Sequence, residues 1–178
     1  MVKKILPLFF LCAGLVLLTA CSGGGQSAKK LKIGDQAPAF AGTDLNGQPL
    51  SLAGYQGKPV ILRFWSTDCK FCRADTPIFN QYFEKYRQAG LRVVYINRNS
   101  DEATVRQFVA DLEIGFPVLL DKDGAISKQY NIKLEPQTIV LGPDHRILAA
   151  ILGGVSEAEL KGLLGEYFSK TAGKKQVD

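Results

Sequence analysis

The sequence predicts an α/β fold: a mixed central sheet flanked by helices on both faces, with an extra N-terminal β-hairpin. Three observations predict it. Pro59-Val60-Ile61-Leu62-Arg63-Phe64-Trp65 is a nearly continuous apolar run, which suits a strand covered on both faces. A second such run, 91–97, follows a helical stretch, and a strand–helix–strand crossover demands parallel pairing. Residues 138–141 and 147–151 then flank Gly142-Pro143-Asp144 as a hairpin, which adds antiparallel strands.

Taken in order, residues 33–52 read as a β-hairpin region with Asn46-Gly47 at its turn. The helix after the first long strand should begin near Cys69 and run to about Gln88. Pro77 should bend it and Gly90 should stop it. Val105, Phe108, Val109 and Leu112 recur at spacings of three and four, predicting a helix over 101–112. Residues 117–120 form a short strand, Asp121-Lys122-Asp123-Gly124 a turn, and 125–130 a short helix. Ser156-Glu157-Ala158-Glu159 is a capping box. The helix it opens carries Leu160, Leu163, Leu164, Tyr167 and Phe168 on one stripe, the pattern of core packing.

With 178 residues, 46% hydrophobic and 22% charged, the chain fits one globular domain with appendages. The expected segments are a leader at 1–20, a flexible tether at 21–31, the domain at 32–169 and a polar tail at 170–178. The net charge of +5 is mild, and two of the lysines, Lys3 and Lys4, sit in the leader. Lys29, Lys30 and Lys32 suit a solvated linker or attraction to anionic head groups. No basic groove interleaved with aromatics is present, so nucleic acid is not an expected partner.

The leader has a short positive start and an apolar run from Ile5 to Leu18, shorter than the ~20 residues of a spanning helix. Leu18-Thr19-Ala20-Cys21 resembles the bacterial lipoprotein signal, in which the cysteine is acylated and becomes the mature N-terminus. Anchoring through lipidated Cys21 to the cell envelope, facing the periplasm or exterior, is therefore expected. Ser22 resembles the pattern that permits transfer to an outer membrane.

Of four cysteines, Cys12 leaves with the leader and Cys21 takes the lipid, so Cys69 and Cys72 remain. A lone Cys-x-x-Cys pair in an exported protein reads as redox-active. It sits where an apolar strand ends and a helix begins. Free N–H groups and the helix dipole there stabilise a thiolate, the attacking form. Cys69 is the expected nucleophile and Cys72 the resolving cysteine. Two cysteines and one His145 are too few for a closed zinc site, so no metal is expected. Asp75 follows Cys72 by one helical turn, on the same face. Buried, it could accept a cysteine proton; solvated, it would be an ordinary acid near a helix start.

Phe64-Trp65-Ser66-Thr67-x-Cys69-x-x-Cys72 resembles the signature of the TlpA/ResA-like thioredoxin proteins, membrane-tethered thiol–disulfide oxidoreductases. The likeness runs from about Ile33 to Phe168 and includes Gly34-Asp35-x-Ala37-Pro38-x-Phe40 and Glu135-Pro136-Gln137-Thr138. It implies a thioredoxin-like fold and disulfide exchange with protein thiols or disulfides; reductase, oxidase and isomerase share the motif, and a reductase is the expected direction. It also implies that Pro136 is cis and packs against the cysteine pair, presenting extended backbone to a substrate strand. Trp65, Asp68, Lys70, Phe71 and Glu135 become the expected substrate contacts. Several such proteins serve cytochrome c maturation, so apocytochrome c is the family-level partner. No cofactor is expected, and a membrane electron-donor protein must recharge the cysteines. A monomer is expected.

Three departures stand out. Asp68 replaces the Trp that often precedes the first cysteine, Phe71 fills a common Pro position, and Glu135 precedes the cis-proline candidate. Asp68 and Glu135 would suit a basic partner. Two rivals share the fold. A peroxiredoxin would carry a proline where Leu62 stands, with Ser66 three before the cysteine. A Sco-like copper-delivery protein would add a distant histidine, but His145 falls in a hairpin turn, where a solvated surface residue is expected.

Overall fold

The computed structural model describes residues 30–174. The leader, Cys21 and Ser22, and residues 175–178, lie outside the described residues. Among the described residues no helix is long and apolar enough to cross a membrane.

The N-terminal hairpin pairs β1 (Ala41–Thr43) with β2 (Pro49–Ser51) in an antiparallel two-stranded sheet. Its turn is held by Asp44, whose Oδ1 accepts from the amides of Asn46 at 2.8 Å and Gln48 at 2.9 Å. Gly47 follows at φ 76°, a left-handed position that glycine adopts without a Cβ clash. The amide of Leu45 donates to Val118 O at 2.9 Å, which docks this hairpin onto the edge of the main sheet.

The main sheet has the order β5-β4-β3-β6-β7. Its strands are β3 (Val60–Trp65), β4 (Arg92–Asn97), β5 (Val118–Leu120), β6 (Gln137–Leu141) and β7 (Ile147–Leu152). β3, β4 and β5 run parallel, while β6 and β7 are antiparallel to their neighbours. The helices are α1 (Lys70–Tyr86), α2 (Glu102–Asp111), α3 (Ala125–Gln129) and α4 (Glu157–Lys174). The predicted α/β class, mixed sheet and extra hairpin are what the chain adopts.

Alternation along β3 divides the core in two. Ile61 and Trp65 pack with Phe79 and Tyr82 of α1, Phe108 of α2 and Leu160 and Leu164 of α4. Val60, Leu62 and Phe64 face the other way, onto Phe40, Leu50, Ile126 and Tyr130. Every residue of β3 is buried, as a strand covered on both faces requires.

Local signals set the helix ends. Asp101 caps α2 by accepting from Thr104 N at 2.9 Å, and Gly90 ends the α1 region at φ 103°. The capping box forms: Glu159 accepts from Ser156 N at 2.8 Å, and Glu159 N donates back to Ser156 Oγ at 3.3 Å. α1 runs through Pro77 without interruption. α4 stays helical to Lys174, inside the stretch expected as tail. Once a helix is nucleated on a packed face, each added residue closes a further hydrogen bond.

Candidate active site

β3 ends in Trp65, and a short loop carries the chain to Cys69, which caps α1. Cys69 takes extended backbone (φ −77°, ψ 107°), and its Sγ accepts from Cys72 N at 3.1 Å. The two cysteines form a disulfide with their Cα atoms 5.2 Å apart. They differ in access: Cys69 is half-buried, while Cys72 is 1% exposed. An amide aimed at a sulfur on the positive end of a 17-residue helix lowers the cost of a thiolate there.

Around the pair, Asp68, Lys70 and Phe71 are exposed, and Phe71 presents two-thirds of its surface to solvent. They can touch a partner. Trp65, expected among the contacts, is fully buried, with its ring 4.3 Å from that of Phe108 and 5.7 Å from that of Tyr95. That expectation is corrected: Trp65 lies on the inward face of β3 and supports the site from beneath.

The Glu135–Pro136 peptide bond is cis, as the family likeness implies. Gln137 pairs with Phe64, so Pro136 lies at the same end of the sheet as the cysteines. Pro136 O accepts from Gly153 N at 2.8 Å. Glu135 is less available than expected of a substrate contact. Its carboxylate is 9% exposed and accepts from Arg98 Nε at 3.0 Å. Burial lifts its carboxyl above the usual glutamate range, Arg98 and Ser66 pull it back, and Asp68 adds to the rise.

That shift has a sign that can be tested. The folded state holds the Glu135 proton more tightly than the unfolded chain. This contribution to stability is full below the unfolded glutamate pKa of ~4.3 and is lost as pH rises through the higher folded value. Wild-type stability relative to Glu135→Gln should therefore decline across that window. Urea denaturation of both proteins at stepped pH measures it, and parallel curves would contradict it.

Asp75 resolves as buried, not solvated. Its Oδ2 accepts from the guanidinium of Arg63 and from Val155 N at 3.1 Å; its buried Oδ1 has no partner. Burial pushes the Asp75 carboxyl upward, against the pull of Arg63 and Val155. Sequence reasoning missed Arg63, absorbed into an apolar run. The signal was there: a cation inside a strand covered on both faces needs a buried partner. Arg98, the partner of Glu135, carried no such signal.

His145 is also corrected. It is 3% exposed, not solvated, and its Nε2 lies 3.0 Å from Tyr55 O. It sits in the β6–β7 turn, and Leu141 at that end pairs with Val60, so it is at the opposite end of the sheet from the cysteines. It cannot complete a copper site with them. Leu62, at the position a peroxiredoxin loop would give to proline, is interior β-strand.

A cleft of about 360 Å³ reaches Asp68, the residue before Cys69, and is lined by Ser66, Thr67, Asp68, Asn99, Ser100, Asp101 and Glu135. Its lining supplies three carboxylates, three hydroxyls and the Asn99 amide.

A cysteine pair at the start of the helix that follows a central strand, with a cis-proline at the same sheet end, defines a thioredoxin-like thiol–disulfide oxidoreductase. The chain belongs to the AhpC/TSA family, whose model matches residues 33–150. The thiol-disulfide oxidoreductase ResA of Bacillus thuringiensis subsp. konkukian is 32% identical over 167 residues, covering 94% of each chain. That of Bacillus subtilis is 28% identical over 152 residues, covering 85% of this chain and 83% of its own. A putative thiol:disulfide interchange protein DsbE from Chlorobium tepidum superposes with a TM-score of 0.73 at 27% identity, over 78% of this chain and 99% of that one. A secreted Mycobacterium tuberculosis disulfide oxidoreductase homologous to E. coli DsbE gives 0.65 at 29%, over 71% and 95%. The TlpA/ResA likeness carried by the signature is thus matched along nearly the whole chain.

Proposed function

We propose that the protein is a lipid-anchored, extracytoplasmic reductase of protein disulfides. The observation that carries this reading is the asymmetry of the pair: Cys69 is accessible at the helix N-terminus and Cys72 is buried one turn on. Cys69 attacks the partner disulfide and forms a mixed disulfide. Cys72 then attacks Cys69 Sγ and releases the partner as a thiol. Asp75 takes the proton that Cys72 must lose. Asp68, Lys70 and Phe71 meet the partner, with the Pro136 loop beside them and Glu135 at the cleft edge.

Charge favours the reducing direction. A strongly oxidising pair is one whose reduced form is stabilised. Here Asp68, directly before Cys69, disfavours a thiolate against Lys70, while the carboxylates of Asp75 and Glu135 are held by Arg63 and Arg98. That shifts the balance toward the enzyme's own disulfide and a lower potential. The carboxylate-lined cleft suits a basic client, and apocytochrome c is the client proposed from the family likeness. A membrane electron-donor protein returns electrons to the pair, and the protein works as a monomer. The leader and Cys21 support anchoring in the cell envelope, and Ser22 supports onward transfer to an outer membrane. Mass spectrometry of the mature N-terminus should find acylated Cys21.

The direction is tested by equilibrating the Cys69–Cys72 pair against a dithiothreitol or glutathione series. A potential near ~−270 mV is expected. One near ~−120 mV would make the protein a disulfide donor.

A further inference from the structure

Arg63 is the largest buried charge among the described residues, and nothing exposes it. It occupies the β3 position between Ile61 and Trp65, on the face that α1 and α4 cover. Its guanidinium lies 5.1 Å from the centre of the Phe79 ring. Three donor contacts leave it. One goes to Asp75 Oδ2 on α1. One goes to Thr138 Oγ1 at 2.6 Å, two residues after cis-Pro136. One goes to Gly153 O at 3.1 Å, and Gly153 N in turn holds Pro136 O. One side chain therefore ties the cysteine helix, the cis-proline strand and the β7–α4 turn to the central strand.

The same contacts orient Asp75. Arg63 and Val155 N both bind Oδ2, so Oδ1 alone is left without a partner. Cys72 is buried one turn earlier on the same helix face, and residues three apart on a helix are neighbours. We infer that Arg63 is a positioning residue for the resolving step: it keeps Asp75 a carboxylate and turns its free oxygen to the proton of Cys72. This rests on the proposed role of Asp75.

The step balances. From the mixed disulfide, the Cys72 thiol passes its proton to Asp75 Oδ1. The Cys72 thiolate attacks Cys69 Sγ, the Cys69–Cys72 bond forms, and the bond from Cys69 to the partner sulfur breaks. The partner leaves with the electron pair and takes a proton from water. It is reduced by two electrons and the cysteine pair is oxidised by two. Asp75 gives up its proton before the next cycle.

The other groups around Asp75 do not substitute for Arg63. From the sheet, Tyr95 faces the pair, and burial holds its phenol far above its usual range, so it stays neutral. From the segment before α4, Val155 supplies only an amide. Thr76, next along α1, donates to Cys72 O at 2.6 Å. Arg63 remains a cation throughout, since guanidinium does not deprotonate in proteins. An apolar residue in its place leaves a lone buried carboxyl that holds its proton to higher pH and is a poorer acceptor for the proton of Cys72.

The test is peptide-resolved alkylation of Cys72 in the reduced full-length protein, followed from pH 5 to 10. The background is Cys69→Ser, with Arg63→Met, Arg63→Lys, Asp75→Asn and Arg63→Met/Asp75→Asn added in turn. The inflection due to Asp75 should move to higher pH in Arg63→Met, return toward the parent in Arg63→Lys and vanish in both Asp75→Asn proteins. The double variant carries no lone buried charge, so it keeps the comparison possible if Arg63→Met folds poorly. A purely structural Arg63 would lower thermal stability and leave the inflection in place, which overturns the inference. An unchanged profile in Asp75→Asn would overturn the role of Asp75 itself, and with it the inference.

Discussion

Cys72→Ser is expected to turn the protein from a catalyst into a trap. Cys69 keeps its helix-terminal position and its access to solvent in that variant, so the first attack still proceeds. Among the described residues Cys72 is the only other cysteine, so none of them offers a second sulfur to displace the partner. A mixed disulfide between Cys69 and the client should accumulate, visible on a non-reducing gel and released by dithiothreitol. Steady-state reduction of a protein disulfide should fall to the uncatalysed rate. Cys69→Ser should lose turnover equally but form no adduct, because burial shields Cys72 from any client. Wild-type turnover by Cys72→Ser would point to a single-thiol mechanism and reverse the assignment.

The parts of this site legible in the sequence were those written in local spacing. A continuous apolar run sets β3, a following Cys-x-x-Cys marks the start of α1, and Ser156 with Glu159 marks the start of α4. Each depends on residues a few positions apart, so periodicity and capping rules reach them. Cis-Pro136 came from family likeness, since nothing in X–Pro spacing itself separates cis from trans. What stayed hidden was long-range. Arg63 meets Thr138 and Gly153 across 75 and 90 residues, and Glu135 meets Arg98 across 37. No local pattern encodes such pairs. Trp65 and His145 were misplaced for a related reason: neither a family signature nor a turn position shows which distant segments cover a side chain. Tyr95 and Phe108 cover Trp65, while His145 meets Tyr55 O across 90 residues.

Arg63 also carries the largest expected stability effect outside the cysteines. Its side chain is wholly buried and that of Asp75 is 8% exposed, so neither charge has water to fall back on if the other is removed. Breaking such a pair from one side leaves an uncompensated buried charge and costs about 3–5 kcal/mol. That is a large share of a stability of about 5–15 kcal/mol for a domain of this kind. Arg63→Met strands Asp75, and Asp75→Asn strands Arg63, so each alone should shift the urea midpoint strongly downward. Arg63→Met/Asp75→Asn removes both charges and fills the space between Ile61 and Trp65 with an apolar chain. Its cost should fall well short of the two single costs combined, because the desolvation of both ions is relieved together. The remaining loss reports the bonds to Thr138 and Gly153, which only Arg63 makes. Additive single costs would show that the two residues act separately, and the ion pair would then be no more than a contact.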